Sequence, residues 1–102
     1  MMEFRSRVEQ DTVEVQLSGR LEFTDHDRLR DIVELLDGNG LRRFVLNLSA
    51  LDFIDSAGLG MLLILQEEAE QRNIKLVVSG PRGDVKRSID LAKINEIVTI
   101  EQ

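Results

Sequence analysis

The spacing of apolar residues constrains this chain more tightly than any single motif. Val13, Val15 and Leu17 alternate with Glu14, Gln16 and Ser18, the period-two pattern of a strand with one buried face. An earlier short strand at Phe4–Val8 can pair with it through a turn at Glu9–Thr12, and Gly19 closes the unit. Phe44-Val45-Leu46-Asn47-Leu48 is a nearly continuous apolar run, as in a central strand covered by other elements. Ile74–Ser79 reads as a second buried strand and Ile97–Ile100 as a terminal one. Between these lie stretches of helical period. Leu29, Ile32, Val33, Leu35 and Leu36 recur at three- and four-residue steps after a cap at Thr24 or Asp25, and Gly38-Asn39-Gly40 stops them. A second helix is predicted over 57–72, after a Ser49–Asp55 connection. A third is predicted over 82–92, opened by Pro81, whose missing N–H is harmless in a first turn. The order is β-β-α-β-α-β-α-β. Strands joined through helices must run parallel by right-handed crossovers, so the expected fold is a single α/β domain over 1–102 with a mixed, mostly parallel sheet.

Composition narrows the function classes. With 42% hydrophobic and 31% charged residues in 102, the chain has the balance of a soluble globular protein with one core. Its longest run free of strongly polar side chains, Ala57–Leu65, is far too short to span a bilayer, and Met1-Met2-Glu3-Phe4-Arg5 does not resemble a secretory leader. The absence of cysteine removes disulfides and thiolate metal sites and fits a cytoplasmic setting. A net charge of −6, with Arg42-Arg43 the tightest basic pair, argues against nucleic-acid binding and for a protein partner. No cofactor is expected.

The chemically informative stretch is Leu48–Gly60. Asp55 and Ser56 fall where the second helix must be capped, so their oxygens can accept from its unsatisfied first-turn N–H groups. Capping alone would account for them. Gly58 and Gly60 are harder to explain, because each costs up to about 1 kcal/mol relative to alanine inside a helix. Either this turn packs closely on a neighbouring strand or loop, or the glycines leave the Ser56 hydroxyl open to an approaching phosphate donor.

Asp55-Ser56-Ala57-Gly58-Leu59-Gly60, preceded by Leu46-Asn47-Leu48, resembles the signature of STAS domains, specifically of bacterial anti-sigma factor antagonists. Ser18-Gly19-Arg20-Leu21-Glu22-Phe23 is similar to the family's segment closing the second strand, and Asp84–Leu91 to its third helix. The resemblance implies a non-enzymatic switch. Ser56 would be phosphorylated by a partner serine kinase with a histidine-kinase-like ATP fold, itself the anti-sigma factor or a related switch kinase. The unphosphorylated antagonist would bind that kinase, phosphorylation would release it, and a metal-dependent serine phosphatase would restore it. Glu22, Asp55, Ala57, Gly58 and Gly60 would then face the partner. Ala57 stands where the family often has Ser or Thr, which leaves Ser56 as the acceptor; Glu22 stands where many members have Asp. The same family also implies an alternative, a cytoplasmic adaptor subunit of a membrane transporter complex for lipids or anions, which need not be phosphorylated.

On a helical wheel, Leu59, Leu62, Leu63 and Ala69 are assigned to the sheet and Met61, Ile64 and Leu65 to the other side. Those three are either covered by the first helix or a loop, or form a partner-binding patch beside Ser56. Other candidates carry less. His26 between Asp25 and Asp27 has poor metal geometry and suits a helix start. A Ser-His-Asp hydrolase would lack the Gly-x-Ser-x-Gly elbow, and Asp55–Gly60 lacks the lysine of a P-loop. Ser79–Asp84 reads as a turn with a cap, and Glu67, Glu68, Glu70, Gln71 and Arg72 as the solvated end of the second helix.

Overall fold

The computed structural model describes residues 1–102. Strand β1 spans Met2–Glu9 and β2 Thr12–Leu21; a single 3-10 turn, Phe23–Asp25, leads into helix α1, His26–Leu35. Strand β3 spans Arg43–Ile54, helix α2 Ser56–Gln71 and strand β4 Lys75–Ser79. Helix α3, Gly83–Leu91, is followed by a 3-10 turn, Ile94–Glu96, and strand β5, Thr99–Glu101. The five strands form one mixed sheet in sequence order, antiparallel between β1 and β2 and parallel thereafter.

Successive right-handed crossovers that step across a sheet in one direction place every helix on the same face. The core agrees. Val13 pairs in register with Phe44 and Phe44 with Leu76, Val15 with Leu46 and Leu46 with Val78, and all six are buried. They join Ile32 of α1 and Leu36 at its C-terminal cap, Met61, Leu62, Leu65 and Ala69 of α2, and Val85 and Ile89 of α3 in one apolar cluster. The opposite face is polar. There Arg7 pairs with Glu14, Arg5 donates to Gln16, and the Asn47 amide donates to Glu14.

The main departures from the sequence reading lie at four boundaries, two of them set by register shifts between β2 and β3. Gly19 does not end β2: with φ +84° it sits at a register shift, and pairing resumes as Arg20 with Phe53 and Leu21 with Ile54. Ser49–Asp55 is not a loop, because β3 continues through Ile54. The two register shifts insert extra residues on β3, so its buried positions after Leu48 are Leu51 and Ile54, a spacing of three that hides the strand's alternation. Pro81 precedes α3, whose N-cap is Arg82, and the last strand begins only at Thr99, leaving Ile97 exposed. The end of α2 is not merely solvated either: Arg72 ties it to its own Glu68 at 2.7 Å and to Asp37 after α1 at 2.8 Å.

Candidate functional site

Asp55 joins three segments at the start of α2. Its backbone is extended and its Oδ1 accepts from the Gly58 N–H at 2.7 Å, the bond of an N-cap. Its Oδ2 accepts from the Phe23 N–H at 3.2 Å, and its own N–H donates to the Leu21 carbonyl at 3.2 Å. One carboxylate thus fastens the first turn of α2 to the segment that leaves β2. Cap duty falls on Asp55 alone: Ser56 is the first helical residue, is exposed, and its hydroxyl takes part in none of the side-chain hydrogen bonds.

The two glycines have different reasons. A Cβ on Gly58 would lie 2.6 Å from the Leu21 carbonyl oxygen and 2.7 Å from Ile54 Cγ1, so close packing requires glycine there, and Gly58, expected to face the partner, is instead buried against the sheet. A Cβ on Gly60 would meet nothing within 4 Å. Gly60 lies one turn along from Ser56 on an open helix surface. Gly60→Ala is therefore expected to raise the unfolding free energy by up to about 1 kcal/mol through helix propensity alone, as measured by chemical denaturation.

The proposed patch of Met61, Ile64 and Leu65 is corrected by the structure. Met61 is 5% exposed and Leu65 2%, both within the core, and only Ile64 faces outward at 44%. Gly58, Met61, Leu62, Leu65 and Ala69 form the buried stripe at three- and four-residue steps. Leu59 and Leu63, assigned to the sheet, are only partly buried at its flank. An apolar residue at nearly every position from Leu59 to Leu65 leaves the wheel without contrast; the anchor of the stripe is Gly58, which a hydrophobicity pattern does not register. The outer stripe is Ser56, Gly60, Ile64 and Glu67, at 4-, 4- and 3-residue steps.

Two residues near the site were not legible as such. Asp25, expected as a helix cap, makes no cap bond to α1; it is 4% exposed and turns inward. Its Oδ2 accepts from the Glu22 N–H at 2.9 Å and its Oδ1 from the Met2 N–H at 3.1 Å. Phe23, between them, is 66% exposed and stacks on His26 with ring centroids 5.1 Å apart. His26 Nδ1–H donates to the Phe23 carbonyl at 3.0 Å. The three-residue spacing of Glu22 and Asp25 at a helix entry was the available signal for a local bond of this kind. Glu22 itself is half-buried and lies 3.4 Å from Arg20, whose guanidinium stacks on Phe53 at 4.1 Å. That exposed pair is weak enough to exchange for another contact. Ala57 is half-buried.

The family model described as the STAS domain matches residues 3–102. A STAS-domain containing protein of Pseudomonas aeruginosa is 28% identical over 86 residues, 84% of each chain. The crystal structure of an anti-sigma factor antagonist from Mycobacterium paratuberculosis superposes with a TM-score of 0.84 at 20% identity, covering 99% of this chain and 86% of that one. The Bacillus cell fate determinant SpoIIAA in its phosphorylated form superposes with a TM-score of 0.71 at 19% identity, over 98% and 92% of the two chains. At such identities the two structures speak for the fold. No helix here is long and apolar enough to cross a membrane.

Proposed function

The chain belongs to the STAS domain family, and from that premise we propose that it is an anti-sigma factor antagonist of a partner-switching pathway, controlled by phosphorylation of Ser56. Unphosphorylated, it binds a serine kinase with a histidine-kinase-like ATP fold and so frees that kinase's other client; phosphorylated, it is released. The observation that carries this reading is the exposed, internally unbonded Ser56 hydroxyl at the first position of α2, beside a cap that does not need it. The structural likeness to antagonists, one of them described in a phosphorylated form, is consistent with it.

The chemistry follows from the position. Ser56 Oγ attacks the γ-phosphorus of the kinase-bound nucleotide; the Oγ–P bond forms, the bond to the β-phosphate oxygen breaks, ADP departs, and the hydroxyl proton passes to a base on the kinase. The open surface above Gly60 leaves room for this approach. The product carries about −1.5 to −2 charges at a helix N-terminus, where first-turn N–H groups and the helix dipole favour an anion, so the fold survives. The new charge sits next to the Asp55 carboxylate and against the nucleotide of the kinase. Like-charge repulsion and the desolvation of a dianion then favour dissociation. A metal-dependent serine phosphatase resets the switch.

The test is incubation with the cognate serine kinase and ATP. Wild type is expected to give one phosphorylated product by mass spectrometry and Ser56→Ala none. An unmodified wild type, or a product that persists in Ser56→Ala, sinks the reading.

A further inference from the structure

Phe23 is a large apolar side chain that the fold holds outside its core. Its backbone is tied on both sides: its N–H to Asp55, its carbonyl to His26, and the preceding Glu22 N–H to the buried Asp25. Its ring rests on His26. Such a segment has little freedom left to lose, so an aromatic group presented on it binds at low entropic cost. Val8, Leu91 and Ile97 are similarly exposed, but none is joined to the start of α2 by a shared carboxylate. Phe23 alone sits one carboxylate, Asp55, away from the helix that begins with Ser56.

The surroundings indicate what Phe23 would meet. Glu22, Asp27 and Asp55 flank it; Arg20 reaches Glu22 at 3.4 Å and Asp55 is held by backbone N–H groups, but Asp27 keeps a side chain 91% exposed and the whole chain is acidic at −6. We propose that Phe23 is the hydrophobic anchor of the docking surface, seated in an apolar pocket edged by basic side chains on the kinase that modifies Ser56; this rests on the switch proposed above. Aromatic anchors in desolvated pockets commonly carry a large share of binding energy, and a charged rim contributes orientation and association rate. The division of labour is spatial. Basic groups face the Phe23 side, whereas at Ser56 the kinase presents its own anionic nucleotide, so an added phosphate meets like charge only there.

The experiment measures binding of wild type, Phe23→Ala, Phe23→Leu and Leu91→Ala to the purified cognate kinase loaded with a non-hydrolysable ATP analogue, by calorimetry at two ionic strengths. Phe23→Ala is expected to weaken binding by about 30-fold, Phe23→Leu by less, and Leu91→Ala negligibly, with melting temperatures close to wild type. Wild-type affinity is expected to fall as salt rises. Equal binding by Phe23→Ala and wild type, with Ser56 still phosphorylated, overturns the anchor and leaves the switch standing. Affinity independent of salt overturns the basic edge. A wild type that neither binds the kinase nor is modified by it removes both proposals together.

Discussion

Gly58→Ala is expected to destabilise the protein by about 2 kcal/mol and lower its melting temperature by about 10 °C, the opposite of the usual effect of exchanging glycine for alanine in a helix. The helix gains about 1 kcal/mol from the better helix former. Against that, the new methyl group would lie 2.6 Å from the Leu21 carbonyl oxygen and 2.7 Å from Ile54 Cγ1. The first is backbone and the second a core side chain, so neither can swing aside. The first turn of α2 must lift from the end of β2; overpacking costs about 1–3 kcal/mol, and two contacts this short put the cost at the upper end, about 3 kcal/mol, which leaves a net loss of about 2 kcal/mol. The Leu21 carbonyl also accepts the Asp55 N–H, so the displacement loosens the joint that fixes Ser56 relative to Phe23. Thermal melts of Gly58→Ala and Gly60→Ala make the comparison. Opposite shifts are expected, and shifts of the same sign would show that packing on β2 is not what requires glycine at position 58.

The contrast between those two glycines also marks how far the sequence could be read. The pattern of Val13, Val15 and Leu17 against the helical steps of Leu29 to Leu36 predicted the element order and the parallel connections, because side-chain period and crossover handedness are local and general rules. What escaped was wherever two segments distant in sequence meet. The extension of β3 beyond Leu48 depends on register shifts against β2, and no window along the chain contains both strands. The orientation of α2 depends on Gly58 contacting Leu21 and Ile54, a constraint written in the absence of a side chain. The site divides in the same way. Asp55, Ser56, Gly58 and Gly60 stand out locally, whereas the tie of Phe23 to the start of α2 appears only when Asp55 is seen to reach across to its N–H.

Asp25 is the other residue whose importance lies across the chain, and its removal is expected to have the largest effect on stability. In Asp25→Ala two backbone donors, Met2 N–H and Glu22 N–H, lose a buried charged acceptor. Leaving a buried donor unpaired costs about 1–3 kcal/mol, so the pair is expected to cost about 3 kcal/mol, a large part of the stability of a domain this size. The melting temperature should fall by about 15 °C. Asp25→Asn keeps the shape but offers one oxygen where two are used, and its amide nitrogen meets a second donor; it should fall between wild type and Asp25→Ala. A melt of Asp25→Ala within a few degrees of wild type would mean that solvent reaches those N–H groups and the carboxylate is dispensable. The consequence for function differs from that of Gly58→Ala. The Asp55 to Gly58 cap does not involve Asp25, so the start of α2 keeps its geometry and, under the proposed switch, Ser56 is expected to be phosphorylated as in wild type at saturating kinase. The segment Glu22–Phe23, however, loses one of its ties, and the affinity for the kinase should drop. A selective loss in affinity would separate the part of the surface that holds the partner from the part that receives the phosphate.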